Sequence, residues 1–150
     1  MDLRTFDPLY VVAAHLAVLV AVIHLALGVS NWLTYLSGGI LVPPDLRWPL
    51  FVVSGLALVG GLVAAVAGAD RRPLYLGGIA LMVVYVIGYF AWHASGHRPL
   101  FVVGRGTHHD GSTLAYLAAH VVAGPVETLA LASETGLALV LGYLLYRERD

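Results

Sequence analysis

LAYLAAHVVAGPVETLALASETGLALVLGYLLY, residues 114–146, is the stretch whose reading decides the fold: it is apolar throughout, yet it carries His120, Glu127 and Glu134. It is longer than the ~20 residues that cross a ~30 Å hydrocarbon core, and an ionisable group inside lipid needs a partner or a task. The three residues are spaced seven apart, two helical turns less about 20°. An unbroken helix would therefore carry all three on one face. Gly124-Pro125 argues for a break, because proline lacks the N–H of a helix interior and suits the first helical position. The spacing predicts a last span over about 125–146 and a separate short helix over about 113–123.

Working outward, three more apolar segments, Pro8–Val29, Pro49–Ala69 and Pro73–His93, are each long enough to span, and each begins at a proline. Composition agrees: 59% of the 150 residues are hydrophobic, 11% are charged and the mean hydropathy is +0.84, where soluble domains carry about a quarter charged residues. The expected fold is an all-α integral membrane protein, a single domain over 1–150 forming a four-transmembrane-helix bundle with spans at about 8–29, 49–69, 73–93 and 125–146. The first apolar run exceeds the 7–15 residues of a signal-peptide core, so it reads as a retained span.

The net charge is −1, all basic residues are arginines and they form no cluster, which excludes a nucleic-acid surface. Cysteine is absent, so disulfides, iron–sulfur clusters and thiol catalysis are excluded, and histidine, carboxylate and tyrosine remain as ligands. Arg4, Arg71, Arg72, Arg147 and Arg149 fall at one set of helix ends, with Arg47, Arg98 and Arg105 at the other. The positive-inside rule then places both termini in the cytoplasm. The lack of lysine, glutamine and cysteine suits a GC-rich prokaryote, so the expected location is its plasma membrane. The expected partners are the lipid bilayer and a membrane protein or a second copy; small-residue stripes such as Ala57, Gly61 and Ala65 read first as places where helices of the bundle approach closely, and serve docking on another protein equally well. The tight turn Asp70-Arg71-Arg72 predicts that the second and third spans are antiparallel neighbours.

Seven histidines are many for so apolar a chain. His24 shares its helical face with Gly28 and Asn31, a shape that accepts a flat macrocycle, although a neutral imidazole bonded to a neighbouring helix explains it as simply. Tyr85, Tyr89 and His93 form an i, i+4, i+8 stripe. His97 follows His93 at the i, i+4 spacing of a two-ligand metal site, and Ser95-Gly96 can end the helix first. His24, His93 and His120 are the candidate cofactor ligands. His97 joins His108, His109 and Asp110 of the glycine-rich loop as candidate metal ligands, against the plainer reading of solvated loop histidines. Glu127 in a first turn would meet the helix dipole. Glu134, nine residues and about 14 Å past Pro125, has no such explanation and needs a partner from His15, Ser133, Thr135 or the arginines. His15, Glu127 and Glu134, with His120, are the candidates for a polar, proton-handling line. His15 and His24 face opposite sides of their helix. No residue set points to catalysis.

Tyr89, His93, Gly96, Phe101, Gly104, Gly106, Tyr116 and His120 together resemble a stretch of the small multi-helix membrane proteins of cytochrome oxidase assembly. That resemblance implies heme handling by histidines near helix ends; Asp70-Arg71-Arg72 differs from the family's basic inner turn in lacking a histidine. The expected function is thus an accessory or assembly subunit of a membrane complex, with a respiratory complex the implied class, binding heme b or a transition metal through outer-side histidines. The alternative is a small transporter or proton-conducting protein built on His120, Glu127 and Glu134.

Overall fold

A computed structural model describes residues 7–97 and 112–148, which form five helices in the order α1 (Pro8–Ser37), α2 (Arg47–Val66), α3 (Arg71–Ala94), α4 (Thr113–Val121) and α5 (Pro125–Arg147). Four of them, α1, α2, α3 and α5, are long and apolar enough to cross a membrane. Among the described residues there is no strand. The chain is an all-α, four-span membrane bundle with one short extra helix.

Helix starts follow from local chemistry. The Asp7 carboxylate accepts from the Leu9 N–H at 2.9 Å and Pro8 occupies the first turn; Asp70 caps α3 in the same way, accepting from the Arg72 N–H at 3.1 Å. The last apolar stretch is broken as Gly124-Pro125 predicts: α4 ends at Val121 and α5 begins at Pro125. The Thr128 hydroxyl holds the joint, 2.7 Å from the Val121 carbonyl and 2.9 Å from that of Gly124. The largest difference in boundaries is at α1, which continues from Val29 to Ser37. Ser30, Asn31 and Thr34 carry it on by bonding carbonyls of the preceding turn, a pattern that hydropathy does not register.

At the packed centre is α1, which presents Ala13, Ala17, Ala21, His24 and Gly28 as its buried stripe. A Cβ on Gly28 would lie 2.8 Å from the Trp48 carbonyl oxygen, and one on Gly55 would lie 2.6 Å from Leu25 Cγ, so bare glycines set the α1–α2 approach. In the same way Gly78 admits Leu141 of α5. The Ala57/Gly61/Ala65 stripe is not used in this way: Ala57 and Ala65 are exposed and a Cβ on Gly61 would meet nothing. The neighbours also differ from the sequence expectation, since α1 packs on α2 and α5 while α3 packs on α5. Although joined by the short turn at Gly68, α2 and α3 touch only sparsely. Proximity in sequence fixes where α3 starts, and side-chain volume decides what it packs on.

Ala17, Val20, Ala21, Leu58, Met82 and Leu137 form the core, and a second layer of Ala13, Tyr75 and Leu144 lies toward the termini. Outside, Val22, Val63, Ile87 and Leu139 point away from the bundle, as lipid-facing residues do. The terminal end is closed by polar contacts: Arg147 pairs with Asp7, Tyr10 and Tyr75 donate to Glu148 at 2.9 and 3.1 Å, and Arg71 donates to the Tyr10 hydroxyl at 2.9 Å. The start of α1 and the end of α5 therefore lie at the same end of the bundle.

Candidate functional site

At the opposite end of the bundle, three histidines converge. His93 sits in the last turn of α3, and His120 in the last turn of α4. His97 lies beyond the end of α3, brought back by two successive left-handed residues, Gly96 at φ 74° and His97 itself at φ 63°. The Gly96 N–H donates to the His93 carbonyl and the His97 N–H to the Trp92 carbonyl, both at 3.0 Å. Positive φ is unusual for a residue other than glycine and carries a strain of about 1–3 kcal/mol that the surroundings must hold. Here it turns the His97 ring onto its neighbours, with centroids 5.0 Å from His93 and 5.6 Å from His120; those of His93 and His120 are 4.9 Å apart.

One ligating nitrogen from each of the three lies within 4.8 Å of those of the others. His93 Nδ1 is 2.8 Å from the Tyr89 carbonyl and His120 Nδ1 is 2.9 Å from the Tyr116 carbonyl. A carbonyl only accepts, so both Nδ1 atoms carry hydrogen, and in the neutral rings the lone pair is left on Nε2. Metal-binding histidines are commonly oriented by such a bond from the other ring nitrogen. His97 Nε2 lies 3.0 Å from the Tyr116 hydroxyl.

The surroundings are aromatic and basic. Tyr89, Trp92 and Tyr116 have ring centroids 4.2, 4.8 and 6.5 Å from that of His93. Arg47, anchored by Asp45 at 2.5 to 3.0 Å, stacks over Trp92 at 3.8 Å and so ties the start of α2 to this end. Among the described residues, the buried Tyr89 hydroxyl and Trp92 indole N–H have no hydrogen-bond partner. Buried donors are normally satisfied, so the walls of this site hold polar capacity that the protein itself does not use.

A second polar group lies near the middle of the bundle. His24 is 1% exposed, and both of its ring nitrogens are engaged: Nδ1 with Ser54 Oγ at 2.7 Å and Nε2 with Glu134 Oε1 at 2.8 Å. Glu134 is 6% exposed and Ser54 2%. Phe51 and Tyr85 flank the imidazole, with centroids 4.9 and 4.5 Å away.

Of the residues singled out from sequence, the structure brings His93, His97 and His120 together and places His24 elsewhere, with Glu134. His15 is exposed on α1, its Nδ1 donating to the Val11 carbonyl at 2.7 Å. Glu127 is exposed in the first turn of α5. Of the residues expected in a polar line, His15 bonds its own helix and Glu134 bonds His24. His108, His109 and Asp110 lie outside the described residues. The sequence reading missed Ser54 altogether and did not name His24 as the partner of Glu134. The one signal available was that both are polar residues deep within apolar spans. No protein family, curated protein or solved structure matches this chain.

Proposed function

We propose that this protein binds a divalent first-row transition-metal ion between His93, His97 and His120, and holds or hands over that ion as an accessory or assembly protein of a membrane complex. The observation that carries the reading is the convergence of three ligating nitrogens within 4.8 Å. Bonds of ~2.0–2.1 Å at tetrahedral angles put ligand nitrogens about 3.3 Å apart, so binding would shorten the separations between the nitrogens by at most about 1.5 Å. Imidazole suits zinc, copper, nickel and cobalt. Three protein ligands leave a fourth position open, and the unpartnered Tyr89 hydroxyl and Trp92 N–H supply donors beside the site for a bound water or anion.

Three mutually tilted rings favour an ion over heme b, because an axially ligated heme needs a flat slot between two opposed imidazoles. His24 supports neither, having spent both nitrogens on Ser54 and Glu134. The arginine distribution supports cytoplasmic termini in a prokaryotic plasma membrane, which puts the three histidines on the outer side.

The test is metal titration of the purified protein with cobalt(II), followed by its ligand-field absorption, and with zinc(II) in competition against a chelator. One ion should bind per chain. His93→Ala and His120→Ala should each weaken it by at least about 100-fold, since even residues that only orient a ligand are worth 10–100-fold. His15→Ala should leave binding unchanged. A Soret band after expression with heme, lost in the same two variants, would replace the ion by heme, and unchanged affinity in both variants would overturn the site.

A further inference from the structure

Resting on the ion site proposed above, we propose that the metal ion held by His93, His97 and His120 carries a small carboxylate in its fourth position, held there by Tyr89 and Trp92. One carboxylate oxygen binds the ion, and the other accepts from the Tyr89 hydroxyl and the Trp92 indole N–H. Tyr89 precedes Trp92 by three residues and His93 by four, spacings that make neighbours on a helix. The Tyr89 and Trp92 rings lie 4.2 and 4.8 Å from that of His93, and Trp92 lies 4.2 Å from His97. Among the described residues, neither donor has a hydrogen-bond partner, although both atoms are buried.

Charge calls for an anion. Among the described residues, the ligand atoms that converge here come from three histidines and no acidic residue, and neutral imidazoles leave a divalent ion its full charge. At the start of α2 the Asp45 carboxylate is taken up by Arg47, at 2.5 to 3.0 Å, and Glu127 in the first turn of α5 is exposed. His93 is buried and walled by aromatic rings, so water would hydrate that charge poorly. A carboxylate cancels half of it.

The hydrogen count chooses a carboxylate over water. An indole N–H only donates, and a phenol hydroxyl has one hydrogen to give, so the walls of the site offer two hydrogens. A water molecule on the ion has spent one lone pair there and keeps one, and it brings two hydrogens of its own. It cannot accept from both donors, and it adds hydrogens that need acceptors in turn. A carboxylate with one oxygen on the ion has two lone pairs on the other oxygen, takes both donors and brings no hydrogen. Each of those bonds ends on a charged acceptor and is of the stronger kind. Binding is a ligand exchange: a carboxylate lone pair replaces that of the water, which leaves intact, and no proton or electron moves.

The experiment is an acetate titration of the cobalt(II)-loaded full chain in detergent, at fixed pH and with ionic strength held by perchlorate. The ligand-field bands should shift with one saturating midpoint. In Tyr89→Phe and Trp92→Phe, which keep an aromatic ring and lose the donor, that midpoint should rise about tenfold or more, the worth of a hydrogen bond to a charged group. A second measurement needs no variant to bind: in the zinc(II)-loaded wild type labelled with ¹⁵N-tryptophan, acetate should move the Trp92 indole N–H signal downfield. Trp32, whose N–H already donates to the Leu41 carbonyl at 2.9 Å, should stay in place, and without zinc acetate should move neither signal. If the wild type gives no cobalt spectrum, the ion site itself fails and the carboxylate with it. If the cobalt spectrum forms and acetate leaves it unchanged, the ion site stands and the carboxylate alone is overturned. An unmoved Trp92 signal, or the same midpoint in both variants as in the wild type, overturns it equally, because the anion would then lie away from the two donors.

Discussion

His24 and His93 are both buried histidines, and they are buried for opposite ends. His24 spends both ring nitrogens on side chains of other helices, Ser54 and Glu134. His93 spends one on its own helix, the Tyr89 carbonyl, and turns the other toward His97 and His120. The first arrangement joins three helices through one imidazole and leaves it no valence for a guest. The second costs its helix nothing and holds a lone pair ready. Which nitrogen of a histidine is already engaged says more about its task than how deeply it lies.

The widest separation of the two regions comes from Glu134→Ala. Removing one partner of a buried, hydrogen-bonded pair should cost about 3–5 kcal/mol, read as a fall in the detergent or urea midpoint of unfolding. His93→Ala should move the same midpoint much less. Equal losses would break the distinction drawn here between a structural pair and a ligand set.

Gly28→Ala should come next, at about 1–3 kcal/mol, the usual cost of overpacking. Its Cβ would press on the Trp48 carbonyl and the Phe51 side chain and push α2 away from His24. Gly61→Ala is the matched control: a Cβ there meets nothing, and the gain in helix propensity, about 0.5–1 kcal/mol, should show as unchanged or higher stability. Thermal melts of the two variants would sharpen the comparison, because a similar loss in both would mean that helix α2 is held in some other way.

The smallest effect is expected at the far end of the bundle, at Asp7. The Leu9 N–H and then the Arg147 guanidinium hold its carboxyl below the ordinary carboxylate range. A carboxyl whose folded value is depressed contributes stability that is present above about pH 4, the unfolded value, and is lost as pH falls through the folded one. Asp7→Asn should therefore flatten the acid limb of the stability profile below about pH 4 and leave both histidine regions untouched. An unchanged acid limb would show that the contact is too well solvated to matter.

Much of this architecture can be read directly from residues. Pro8 and Gly124-Pro125 mark helix starts because the missing proline N–H is a local effect, whereas the Asp70 cap that starts α3 two residues before Pro73 was not read from the sequence. The broken joint at 122–124 was legible for the same reason. The packing stripe was not: Ala57/Gly61/Ala65 looks as suited to close approach as the α1 face from Ala13 to Gly28, and spacing alone cannot say which of two such faces turns inward. The spacing did pair His97 with His93, but the structure brings them together through two left-handed residues after Ala94 and not by continued helix.

By itself, the sequence determined the solvent, the number of spans and the places where helices begin. Hydropathy sums along the chain, and backbone hydrogen bonds in lipid must close within each helix. Tertiary structure alone decided that Glu134 meets His24 and that His97 and His120 meet His93. Those contacts depend on the rotation of each helix about its axis and on which glycines let neighbours approach, and both are set by side chains from different helices fitting one another.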